Sequence, residues 1–176
     1  MAILNIEYYM QKDLYSAGDI EEQMLQMAHE GITCETLSDE QVSFPVIYHF
    51  SDLRANILNW YPITKSDSVL EIGAGCGAIT GTLCEKAGQV TSVELSKRRA
   101  QINYYRNENK KNLTIMVGNL NDMDLGQQYD YVVVNGVLEY AMSFTEGDTP
   151  YKTFLRKMGS YLKDTGKILI AIENKL

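Results

Sequence analysis

From Ser68 onward the chain alternates short apolar runs with segments of helical period. "SVLEIG", "QVTSVEL", "LTIMVGN", "YDYVVVNG" and "GKILIAIE" read as strands. "GAITGTLCEKA", "SKRRAQINYYRNEN" and "PYKTFLRKMGSYL" read as the helices among them. Gly88 follows the first helix, Ser96 caps the second and Pro150 stands in the first turn of the third. A run such as "YVVVN" has no polar side, which predicts a sheet buried on both faces. The alternation predicts a parallel α/β sheet, and right-handed crossovers place helices on both of its faces.

The first third has a different texture. "IEEQMLQMAHE" predicts a helix with Ile20, Met24, Leu25 and Met27 on one side. Asp19 and Glu22 have capping-box spacing at its start, and Gly31 ends it. His29 falls at the end of that helix, where the dipole is enough to explain a histidine. "QVSFPVIYHF" contains Pro45 and predicts an edge strand or a loop. Ser51 caps "DLRANILNWY", which Pro62 stops. The expected organisation is a helical and extended cap over 1–52 followed by an α/β domain over 53–176.

Composition narrows the class. The chain has 176 residues, enough for one sizeable core, with 45% hydrophobic and 22% charged residues. A net charge of -7 disfavours binding to nucleic-acid phosphates. The one dense basic cluster, Lys97-Arg98-Arg99, reads as a solvated helix face. No apolar run is long enough to cross a bilayer, and the N-terminus has neither a basic leader nor a cleavage site. Cys34, Cys76 and Cys84 lack metal-ligand spacing and read as reduced thiols, so no metal and a cytoplasmic location are expected.

The chemistry concentrates in "SVLEIGAGCGAITGTL". Gly73, Gly75 and Ala78 fit the G-x-G-x-x-G/A spacing of dinucleotide sites. Glu71, Gly73, Gly75 and Gly77 fit a second pattern, acid-x-Gly-x-Gly-x-Gly. Glycines between a strand and a helix allow close backbone approach, and the helix start offers free N–H groups. Either pattern therefore predicts a nucleotide-like ligand at the carboxyl edge of the sheet. Glu71 separates the two, because a carboxylate in that strand suits a ligand carrying an ammonium group. Glu94, ending the next strand, can accept from ribose hydroxyls, a feature that NAD sites share.

"VLEIGAGCGAITGTL", "VTSVELS", "IMVGNL", "YDYVVVNGVLEYA" and "LKDTGKILIAIEN", in that order, resemble the class I S-adenosylmethionine-dependent methyltransferases. The longer string from "YHF" through "ELSKRRA" is also similar to bacterial members associated with cell-surface glycan loci. The resemblance implies a Rossmann-like sheet of order 3-2-1-4-5 and S-adenosylmethionine as cofactor. It aligns Glu71, Gly73, Ala74, Gly75 and Cys76 with the loop around the methionine part, Glu71 facing the amino group. It aligns Glu94 with the ribose acid and Leu95 with a flank of the adenine. Gly118-Asn119-Leu120 would meet the adenine edge, with Asn119 where many relatives have Asp. Asn135 and Gly136 would face the sulfonium, and Tyr48 would contact the cofactor.

"NGVLEYA" lacks the Asn-Pro-Pro-Tyr type of segment of nucleic-acid amino-methylating enzymes, so the expected acceptor is a small molecule or a glycan. His49, Glu139 and Tyr140 are candidate bases, each with an ordinary reading as a packed or surface residue. An NAD-binding oxidoreductase domain and a non-catalytic cofactor-binding module stand as alternatives. The family sheet has two further strands after the fifth, so the expectation is a fragment of a longer protein. The edge of "KILIAIE", between Lys167 and Glu173, is expected to be covered by "QVSFPVIYHF" or by a second copy in a homodimer.

Overall fold

The computed structural model describes residues 1–11, 18–40 and 42–172. Its first elements are β1 (Ile3–Asn5), α1 (Asp19–His29), α2 (Phe44–Phe50) and a 3-10 turn (Asp52–Ala55) leading into α3 (Asn56–Asn59). The alternating part follows with β2 (Ser68–Ile72), α4 (Thr80–Lys86), β3 (Gln89–Glu94), α5 (Lys97–Asn107) and β4 (Leu113–Val117). It ends with β5 (Tyr129–Asn135), α6 (Ala141–Phe144), α7 (Pro150–Ser160) and β6 (Leu162–Ala171).

The six strands form one parallel sheet in the order β1-β4-β3-β2-β5-β6. Strands β2 to β6 are the five expected, in the expected order 3-2-1-4-5. The addition is β1, which pairs Ile3 with Thr114 and Asn5 with Met116. Three residues are too few to show a period, so the hydrophobic pattern does not reveal it.

Alternation along the strands separates two cores. Val69 and Val133 pack with Ile79, Leu83 and Ala100 on the side of α4 and α5. Leu70, Ile72, Val132 and Val134 pack with Phe154 and Met158 of α7 on the other. A third cluster joins Met24, Met27 and Ala28 of α1, Val46 and Phe50 of α2, Ile102 of α5 and Cys76. This cluster seats the N-terminal helices against the glycine loop.

The first third requires three corrections. Residues 44–50 are helical rather than extended, and Gln41 lies outside the described residues. Pro45 occupies the first turn, where no intrahelical N–H is needed, and Ser43 precedes it in extended conformation. Helix α1 begins after Gly18 without a side-chain cap, so there is no Asp19–Glu22 capping box. Glu21 instead turns inward and pairs with Arg99 at 2.6 Å. The basic cluster is therefore not a uniformly solvated face. Arg99 is enclosed, while Arg98 reaches the exposed Glu22 at 3.6 Å.

Helix formation over 44–50 also removes that segment as a cover for the last strand. Among the described residues nothing pairs with the outer edge of β6, and Glu173 lies outside them. The N-terminal residues that do join the sheet, β1, add to the opposite edge.

Candidate functional site

Strand β2 runs directly into the glycine loop. Gly73 and Ala74 both donate backbone N–H bonds to the Val93 carbonyl, at 2.8 and 3.1 Å, folding the loop across the end of β3. The fold-back needs positive φ at Gly73 (68°), Gly75 (55°) and Gly77 (80°). A Cβ built on Gly75 would have no neighbour within 4 Å, so its missing side chain leaves open space above the loop.

Glu94 fixes the loop from the adjacent strand end. Its Oε2 accepts from the Gly75 N–H at 2.7 Å and its Oε1 from the Ser96 N–H at 2.9 Å. Burial raises its pKa, and the backbone donors of Ser96, Gly75 and Leu95, together with the nearby Arg99, oppose that rise. A carboxylate has about four lone-pair sites, so room remains for a further donor.

Glu71 is buried in the strand below. Its Oε2 accepts from the hydroxyls of Ser92 (2.6 Å) and Thr80 (2.7 Å), while its Oε1 is buried with no partner among the described residues. Burial pushes its pKa up to about 7, outweighing the two hydroxyl bonds. A buried carboxylate oxygen without a donor is an uncompensated acceptor facing a cavity.

That cavity, of about 520 Å³, lies over the carboxyl ends of β2 to β5. Its walls include Glu71, Gly73, Ala74, Gly75, Cys76, Glu94 and Leu95. They also include Gly118, Asn119, Leu120, Asn135 and Gly136. Tyr48, His49 and Tyr140 complete the set of sequence-predicted residues gathered here. The side chain of Asn119 is already engaged. It accepts from the Asn121 N–H at 3.0 Å and donates to the Phe144 carbonyl at 3.4 Å. Cys76 contributes through its place in the loop, since its side chain packs in the third cluster and burial pushes its thiol up to about 12.

The candidate bases separate. Glu139 is exposed on a 3-10 turn, Leu138–Tyr140, and lies outside the cavity wall. His49 lines the cavity, but burial, reinforced by Arg99 and Arg54, lowers its pKa to about 4. It is therefore neutral near pH 7 and a weak proton acceptor. Tyr140 stands at the wall, 45% exposed.

Three lining residues escape sequence reasoning. Phe44 and Arg54 come from the roof formed by α2 and the turn after it, and Arg99 from the first turn of α5. The Arg54 guanidinium lies 4.4 Å from the Tyr48 ring centroid and pairs with no carboxylate among the described residues. Reading α2 as extended hid the first two. A signal for Arg99 did exist, because it stands three residues after the Ser96 cap, above the glycine loop.

A family model described as "Methyltransferase domain" matches residues 70–168. An uncharacterized methyltransferase of Staphylococcus carnosus is 31% identical over 116 residues, covering 66% of this chain and 52% of the relative. A phosphoethanolamine N-methyltransferase of Triticum aestivum is 30% identical over 118 residues, covering 65% and 22%. Phosphoethanolamine N-methyltransferase 1 of Haemonchus contortus was solved with phosphoethanolamine and S-adenosylhomocysteine. It superposes with a TM-score of 0.61 at 22% identity, covering 92% of this chain and 34% of that one. The chain thus spans about half, or less, of the length of the curated relatives it matches.

Proposed function

Because the chain belongs to the methyltransferase-domain family, in its class I S-adenosylmethionine-dependent form, we propose that it holds this cofactor in the cavity and serves methyl transfer to a small polar acceptor. The single observation that carries the reading is the partnerless Glu71 Oε1 beneath a glycine loop that Glu94 ties down. The residues present fit the cofactor. An ammonium group would satisfy Glu71 with a cation as well as a donor, where a dinucleotide has neutral hydroxyl and amide donors alone. The open space at Gly75 admits a ligand against backbone. The free lone pairs of Glu94 suit ribose hydroxyls, and Arg54 offers a cation to the methionine carboxylate. Leu95, Asn119 and Leu120 would border the adenine, with Asn135 and Gly136 near the sulfonium.

When bound, S-adenosylmethionine supplies an electrophilic methyl group and a neutral thioether leaving group. The chain's own contribution is to align and to exclude water. The roof residues Phe44, Tyr48 and His49 cover the loop, and Tyr140 and Phe144 face them from the other wall. We assign no general base, since His49 is held near 4 and Glu139 stands outside. An amine acceptor whose nitrogen is already unprotonated needs none.

The acceptor belongs to the small-molecule or glycan class on this reading. The N-methylated phosphoethanolamine of related enzymes supports the small-molecule side. Residues 1–52 act as the cap and 53–176 as the cofactor-binding part, with β1 reaching from the former into the sheet of the latter. A second copy pairs along the free edge of β6. Calorimetry tests the central reading. S-adenosylhomocysteine should bind with one-to-one stoichiometry and NADH should not bind. NADH binding in place of S-adenosylhomocysteine would overturn it in favour of an oxidoreductase domain.

A further inference from the structure

The roof and the glycine loop share one cation. Arg106, near the end of α5, donates from Nη1 to the carbonyls of His49 (2.7 Å) and Cys76 (2.6 Å). Its Nη2 reaches the Phe50 carbonyl at 3.4 Å, and its guanidinium carbon lies 4.6 Å from the centroid of the Phe50 ring. No carboxylate forms an ion pair with it among the described residues. Its charge is spent on main-chain oxygens at the end of α2 and within the loop.

The two carbonyls held by Nη1 belong to different parts of the cavity. His49 is a roof residue and Cys76 a loop residue. Helix α2 has only seven residues, too short to hold its place by its own hydrogen bonds. Val46 and Phe50 anchor it in the third cluster, and Cys76 fills the same cluster from the loop. A planar guanidinium presents several donors in a fixed fork, so it fixes the direction of both carbonyls at once. A lysine at the same place offers a point charge that follows either carbonyl without fixing their relation.

We propose that Arg106 is a positioning residue that ties α2 to the glycine loop, so that a ligand seated in the loop sets the place of Tyr48 and His49 over the acceptor side of the cavity. The inference rests on the cofactor reading above. Loop and roof then respond together. Ordering of the loop by a ligand passes through the Cys76 and His49 carbonyls into α2, and an acceptor pressing on the roof favours the ligand-bearing loop by the same amount.

Amide hydrogen exchange on the full chain tests this, with S-adenosylhomocysteine as the probe. In the parent, the probe should slow exchange at residues 73–77 and, by about tenfold, at the α2 amides of Ile47 to Ser51. In Arg106→Lys the loop should still respond while α2 no longer does. A variant whose α2 keeps the full response, or a parent whose loop responds without α2, overturns the proposal. If neither region responds in the parent, the cofactor reading has failed, and the ligand-free proteins decide. Arg106→Lys should then exchange its α2 amides about tenfold faster than the parent, with those of β5 unchanged. Equal rates would overturn the latch on its own terms. Should Arg106→Lys not fold, Arg106→Gln, which keeps an amide donor but neither the charge nor the guanidinium fork, carries the same comparison.

Discussion

Single side chains decide what the cavity accepts. Glu71 is the clearest, because its ionisation is tied to its ligand. Its folded pKa of about 7 stands above its ordinary 4.5, so the ligand-free protein carries a protonated Glu71 below pH 7. A cationic donor prefers the carboxylate, so binding must expel that proton. Affinity for S-adenosylhomocysteine should rise about tenfold between pH 6 and 8 and then level, and Glu71→Gln should flatten the profile. Calorimetry across that range checks it, and a profile unchanged by the substitution would sink the ammonium assignment. On the ligand-free fold the sign is opposite. The stability linked to Glu71 is fully present below 4.5 and is lost as pH rises through about 7. Glu94 has two tasks, and removing it undoes both. Glu94→Ala strands the Gly75 and Ser96 N–H groups, which should cost about 1–3 kcal/mol of stability by chemical denaturation. Its affinity for S-adenosylhomocysteine should fall at least about tenfold. Gly75→Val should lose binding altogether in calorimetry, since its side chain enters the space above the loop and a β-branched residue is strained at φ 55°.

Elements decide what surrounds that pocket. Helix α2 exists because Pro45 suits its first turn and because Val46 and Phe50, four apart, share a buried face. The same Pro45, judged by strand rules, argues for an edge strand. A seven-residue helix and a seven-residue strand differ mainly in which residues are buried, and that depends on partners distant in sequence. Helix α1 shows the same dependence. Its interior is the expected methionine face, but its first turn is settled by Arg99, which lies 78 positions away and draws Glu21 inward. At the far edge of the sheet, Ile170 of β6 and the following Ile172 are about half exposed, and no strand among the described residues pairs with the outer side of β6. Pairing with a second copy should appear as a dimer in sedimentation, with slowed exchange at the outward amides of residues 168–172. A monomer whose outward amides exchange freely would remove that proposal.

At the scale of the whole molecule, ligand binding and folding are linked. The cavity draws walls from β2 to β5 and a roof from the N-terminal helices, so a ligand there touches most of the tertiary structure. A ligand that binds only the folded chain, at a hundredfold its Kd, stabilises by about 2.7 kcal/mol. For a chain of this size that should raise Tm by about 5–10 °C in a thermal scan with S-adenosylhomocysteine, and an unshifted transition would contradict the site. The sheet, its order from β2 to β6 and the glycine-loop edge were legible in the sequence. So were the positions of Glu71, Glu94 and Asn135 at strand ends. The parallel sheet and its glycine-loop edge follow from local rules, since apolar runs make buried strands, glycines allow the turn and right-handed crossovers leave few topologies. The strand order and the place of Asn135 are what the family resemblance implied. Other features depended on the fold. These were the short strand β1, the helical state of 44–50, the inward turn of Glu21, and the gathering of Arg54, Arg99 and Arg106 around the loop. Each rests on a contact between segments far apart in sequence. A guanidinium's role is set by whichever carbonyl, ring or carboxylate the fold brings to it, and no local pattern records that choice.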